Sequence, residues 1–104
     1  MKQFAKILVT LVTLTLIASV NPVRADYQAG VDAYQTGDFR AAMAEWLPLA
    51  EGGDAVSQNS VGALYDHGLG VDEDDTEAAR WYQMAADQGL PLAMRNLAGM
   101  YAGG

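Results

Sequence analysis

The chain has 104 residues, no cysteine and a formal net charge of −7. One domain is the prior at this length, and the absence of thiols excludes a disulfide framework and a cysteine-built zinc cage. The acidity repels phosphate backbones and anionic bilayers, so nucleic acid binding and docking on membrane surfaces are set aside for the mature protein.

The first 25 residues read as a targeting segment. Met1 to Lys6 carries two lysines and no acid, and Ile7 to Val20 is apolar except for Thr10, Thr13, Thr15 and Ser19. Asn21-Pro22 then breaks the helix, and Val23-Arg24-Ala25 offers short residues to a signal peptidase. This layout predicts a secretory signal peptide over residues 1–25, cut after Ala25, and a periplasmic or secreted product. The apolar run is shorter than the roughly 20 residues that a spanning helix takes. No cysteine follows it and no Arg-Arg pair precedes it, which argues against a lipoprotein and against the twin-arginine route. Removing Lys2, Lys6 and Arg24 leaves three arginines against 13 carboxylates, a net of −10 over residues 26–104.

The remainder predicts five helices. Asp26 to Thr36 places Tyr27, Val31 and Tyr34 on one face, and Gly37 ends it. Phe39 to Glu51 follows an Asp38 cap, with Ala42, Met43, Trp46, Leu49 and Ala50 on one stripe; Pro48 inside it predicts a kink or tightening. Gly52-Gly53 supplies the stop. Asp54 caps a third helix to His67, whose buried stripe is Ser57, Val61, Leu64 and Tyr65. Gly68 and Gly70 open a loop. The fourth helix, Asp75 to Asp87, has Asp74 as cap, Glu77 at the third position of a capping box, and Ala78, Trp81, Tyr82, Ala85 and Ala86 as its apolar face. A fifth starts near Leu90-Pro91, with Ala93, Leu97, Met100 and Tyr101 as its stripe.

Positions 36 apart match: Asp38 with Asp74, Ala42 with Ala78, Trp46 with Tyr82, Ala50 with Ala86, Gly53 with Gly89, Val61 with Leu97, Leu64 with Met100, Tyr65 with Tyr101 and Gly68 with Gly104. These are caps, small contact residues and core aromatics. A recurrence of this length is the mark of a solenoid, in which helix pairs stack because none buries its apolar face alone. The fold class is therefore all-α, an α-solenoid of antiparallel helix pairs.

Gly68-Leu69-Gly70-Val71, Asp74, Ala78, Trp81-Tyr82, Ala85-Ala86 and Gln88-Gly89, preceded by Ala55, Ser57, Val61-Gly62 and Leu64-Tyr65, resemble the Sel1-like repeat, a relative of the tetratricopeptide repeat. On that resemblance residues 54–89 form a full repeat, 26–53 a tetratricopeptide-like opening pair and 90–104 a partial repeat. Ser60 and Ala98 depart from the family, which has Asn and Gly there. The resemblance implies a scaffold for protein–protein interaction or complex assembly.

Chemistry-bearing candidates are few. Asp72-Glu73-Asp74-Asp75 with Glu77 lacks the spacing of a calcium loop and reads as negative charge at a helix N-terminus. His67 is the only histidine, too few ligands for zinc; Asp66 beside it diverges by about 100° around a helix, so the two are not expected to meet. No serine lies in a nucleophile elbow, and Gly68-Leu69-Gly70 follows a helix, not the strand a nucleotide fingerprint needs. The reading is a non-enzymatic protein with no metal and no cofactor, whose partner is another protein or a peptide. Val56, Asn59, Ala63 and His67 lie away from the core stripe of the third helix and are the expected partner-binding face. The alternatives are a binder or enzyme acting on a small molecule or cell-wall fragment through Trp46, Trp81, Tyr65, Tyr82 and Tyr101, and a partial product of a longer repeat protein.

Overall fold

The structure, a computed structural model, describes residues 25–103; the expected signal peptide lies outside them except for Ala25. Within the described residues there are five helices and no strand: α1 (Tyr27–Gln35), α2 (Phe39–Glu51), α3 (Ala55–His67), α4 (Asp75–Asp87) and α5 (Pro91–Gly103). Each packs against the next, giving an all-helical solenoid.

Local chemistry sets the helix limits. An aspartate caps each of α1 to α4, accepting from the backbone N–H of Gln28, Ala41, Ser57 and Glu77 respectively. Such a cap is worth about 0.5–2 kcal/mol over alanine, so four carboxylates of this acidic chain serve the fold. The α3–α4 loop turns at Gly68, a left-handed C-cap with φ 64°. It then runs against α2 at Gly70, where a Cβ would lie 2.7 Å from the carbonyl carbon of Phe39. Only glycine meets both conditions there.

Three expectations need correction. Asp74 accepts from Glu77 N at 3.0 Å, but the capping box is not reciprocal. The Glu77 carboxylate binds Arg80 instead, and Asp74 N donates to Tyr65 O. Tyr34 and Tyr101 are exposed, at 41% and 69%, not buried in their stripes. The helix also runs on past Pro48 to Glu51, with the proline exposed and Gly52 N still donating to Pro48 O at 3.0 Å.

The core repeats as the sequence does. Ala42, Trp46 and Val61 anchor one cluster, which also holds Met43, Ala50, Leu64 and Trp81. Their counterparts 36 residues on, Ala78, Tyr82 and Leu97, form the other, and Tyr65 packs against both. Within each helix pair a glycine on the first helix receives an aromatic from the second. A Cβ on Gly30 would lie 2.1 Å from Trp46 Nε1, and one on Gly62 2.7 Å from Tyr82 Cδ1. In the second pair Gln58 meets Gln88 at the far end of α4, while Asp66 meets Tyr82 nearer its start, so the helices run antiparallel.

Candidate interaction surfaces

Helix α3 is an interior helix, covered on three sides. Ser57, Val61 and Leu64 point into the cores. Gln58, Gly62 and Asp66 face α4: Gln58 Oε1 accepts from Gln88 Nε2 at 2.9 Å, Gly62 abuts Tyr82, and Asp66 Oδ2 accepts from the Tyr82 hydroxyl at 3.1 Å. The remaining side meets α5, where Asn59 Oδ1 accepts from Asn96 Nδ2 at 2.9 Å.

That third contact corrects the expected partner-binding face. Val56 is exposed on the first turn of α3 and His67 on the last. Between them Asn59 is 7% exposed, and Ala63 packs against the Tyr82–Leu97 cluster. The four residues share a side of α3, but α5 covers its middle, so they do not form one open surface. His67 Nε2 also comes within 3.9 Å of Asp66 Oδ2, closer than their divergence around the helix suggested, because both side chains are long enough to bend back.

The aromatic residues considered for ligand stacking are mostly interior. Trp46 and Trp81 are each 5% exposed and Tyr82 1%. The Trp46 indole donates to Tyr27 O at 3.0 Å and stacks on the Tyr27 ring. Trp81 lies under the Arg80 guanidinium, 4.6 Å from ring centroid to Cζ, and its Nε1 has no hydrogen-bond partner. Arg80 is also bidentate on Glu77; its hydrogen bond holds the Glu77 carboxyl below the ordinary range, against a small opposing effect of burial. The Tyr82 hydroxyl is pushed well above its ordinary value, first by burial and then by the Asp66 carboxylate.

In the acidic run, Asp74 is a helix cap and Asp75 lies in the first turn of α4. Among the described residues no group of three or more His, Asp or Glu side chains is placed to hold a metal ion.

Two clefts indent the surface. One, of about 650 Å³, lies where the C-terminal end of α3, the N-terminal end of α4 and the C-terminal half of α5 converge. Asp66, Glu73 and Asp75 supply carboxylates around its Ala79, Met100 and Tyr101 side chains. The other, of about 620 Å³, follows the α3–α4 loop beside Arg40 and Tyr65.

Sequence reasoning did not single out Gln58, which is 2% exposed and donates to Ala50 O at 3.1 Å. Its spacing from Gly62 and Tyr65, at i, i+4 and i+7, was the available signal. Nor did it single out Asp66 as the acceptor for Tyr82.

Residues 55–90 match the family model for the Sel1 repeat. A Sel1-like repeat-containing protein of Acanthamoeba polyphaga mimivirus is 40% identical over 48 residues, which cover 46% of this chain and 9% of that relative. The chain thus matches less than a tenth of the length of that protein. No solved structure matches. The matched stretch takes in α3, its glycine turn and α4, so the antiparallel pair joined by the Gly62–Tyr82 contact is a Sel1 repeat.

Proposed function

We propose that the chain is an exported, non-enzymatic repeat scaffold of the bacterial envelope that holds another protein. The observation that carries this reading is the use of the repeat's aromatic residues in its core. Trp81 and Tyr82 are buried in the Sel1 repeat, whereas a binder of sugars or cell-wall fragments would need them open in a cleft. What the helices offer a partner is surface, as helical repeats do. Cross-linking the full chain in intact cells, followed by reciprocal capture with the cross-linked protein as bait, tests this. A partner recovered in both directions is expected. Recovery of the chain alone, or saturable binding of purified muropeptides by calorimetry, would overturn the reading.

Export has its own expected result. Asp26 N donates to Glu45 Oε2 at 2.8 Å. Cleavage after Ala25 turns that amide into an α-ammonium facing the α2 carboxylate. A positive charge at the start of α1 opposes the helix dipole, and Glu45 offsets it. N-terminal sequencing of the exported chain should read Asp-Tyr-Gln-Ala-Gly. Glu45→Gln should destabilise the processed chain by about 0.2–1 kcal/mol and the unprocessed chain by less. A different first residue, or equal losses in the two forms, would defeat this account.

A further inference from the structure

We propose that the Met94–Ala98–Tyr101 face of α5, with the acidic cleft beside it, docks a basic amphipathic helix of another protein. This rests on the scaffold reading above and names the surface and the chemistry of what it holds.

The internal repeat supplies the shape. Helix α5 is α3 displaced by 36 residues, and both put Val61 or Leu97 into a core. On α3, the side formed by Gln58, Gly62 and Asp66 receives α4. The corresponding side of α5, Met94, Ala98 and Ala102, is exposed, as is the adjoining Tyr101. Met94 is 48% exposed where Gln58 is 2%, and Tyr101 69% where Tyr65 is half-buried. The same helical geometry that accommodates an antiparallel helix one repeat earlier is therefore uncovered among the described residues.

The substitutions within that register supply the apolar chemistry. Gln58 and Asp66 anchor α4 by hydrogen bonds, whereas Met94 and Ala102 offer neither donor nor acceptor side chains. The contact stripe of an occupant must therefore be apolar. Ala98 stands where Gly62 does, and its Cβ denies an aromatic ring the approach that Tyr82 makes to Gly62. Flexible aliphatic side chains suit the site better. Contiguous exposed apolar side chains of this kind mark interaction surfaces.

Charge decides between occupants. Asp66, Glu73 and Asp75 line the cleft on the side of α3 and α4, and Met100 and Tyr101 line it on the side of α5. None of these three carboxylates pairs with an arginine among the described residues. A second copy would bring the same carboxylates and a further ten negative charges over residues 26–104 to the contact. An amphipathic helix with lysine or arginine flanking its apolar stripe satisfies both halves of the surface and is steered toward it.

A fluorescein-labelled Lys/Leu amphipathic peptide of about 18 residues, with a Glu/Leu peptide of the same pattern as control, tests the site by anisotropy against the full chain. The Lys/Leu peptide should bind saturably and more weakly as salt rises. Met94→Ser with Tyr101→Ser should weaken it at least about tenfold. Glu73→Gln with Asp75→Asn should weaken it several-fold and flatten the salt dependence. Circular dichroism should show each variant as helical as the parent, since the substituted side chains are exposed. Unchanged affinity in the serine variant, equal binding of the Glu/Leu peptide, or no saturable binding at all would overturn the proposal. So would a concentration-dependent dimer in sedimentation that Tyr101→Ser dissociates, which assigns the face to a second copy. If reciprocal capture recovers a partner whose binding ignores Met94→Ser and Tyr101→Ser, the docking site falls and the scaffold reading stands.

Discussion

Gly30→Ala should destabilise the protein, although alanine is the better helix former. In an exposed helix interior the exchange favours alanine by about 1 kcal/mol. Here the new methyl would sit 2.1 Å from Trp46 Nε1, 2.5 Å from Cδ1 and 2.6 Å from Cε2. The indole cannot stay. It must abandon its hydrogen bond to Tyr27 O and its stacking on the Tyr27 ring, or α1 must lift from α2. Overpacking of this kind costs about 1–3 kcal/mol after relaxation, and in a domain this small each kcal/mol moves the midpoint by roughly 4–8 °C. Gly99→Ala is the matched control. It lies within α5 with nothing within 4 Å of the added methyl, so it should stabilise by about 0.5–1 kcal/mol. Thermal melts of the two variants should therefore shift in opposite directions. A Gly30→Ala melt at or above the parent's would mean that α1 is not held against Trp46.

The contrast between those glycines also shows where sequence reasoning stops. Helix limits were legible because their causes are local: Asp38, Asp54 and Asp74 cap, and Gly68 and Gly89 terminate, within a few residues of the turns they govern. The repeated core was legible because Ala42, Trp46 and Val61 recur as Ala78, Tyr82 and Leu97. What each helix meets on its other sides was not. A hydrophobic stripe reports one buried face, whereas α3 is covered on three. Asn59 and Gln58 are polar yet interior because their partners Asn96 and Gln88 arrive from 37 and 30 residues away. Tyr101 shows the converse. It matches Tyr65 in the sequence register but lies exposed, because a repeated residue does not guarantee a repeated neighbour. The candidate surface on α5 thus became visible only when the same register was compared in space.

Tyr82→Ala should be among the most damaging single substitutions. The side chain is 1% exposed, fills the space left by Gly62, and joins α3, α4 and the α5 cluster around Leu97. Truncating a buried aromatic costs about 3–5 kcal/mol, comparable with the whole stability of a small domain. Loss of a cooperative urea transition is the expected result. Tyr82→Phe isolates the hydroxyl. It keeps the ring but removes the donor to Asp66 Oδ2, at an expected cost of about 1–2 kcal/mol near neutral pH. The pH dependence separates this bond from packing. Burial first, and then the Asp66 carboxylate, raise the Tyr82 hydroxyl above its ordinary value of 10.0 in the folded chain. Once the pH passes that value the unfolded chain releases the proton while the folded chain retains it. The unfolded state then binds fewer protons, and the stability present below pH 10.0 falls as pH rises toward the folded value. Phenylalanine has no such proton to lose. The stability advantage of the parent over Tyr82→Phe should therefore shrink progressively above pH 10.0 in urea titrations. A constant gap through that range would mean that the hydroxyl is solvated in the folded chain and that Asp66 does not hold it.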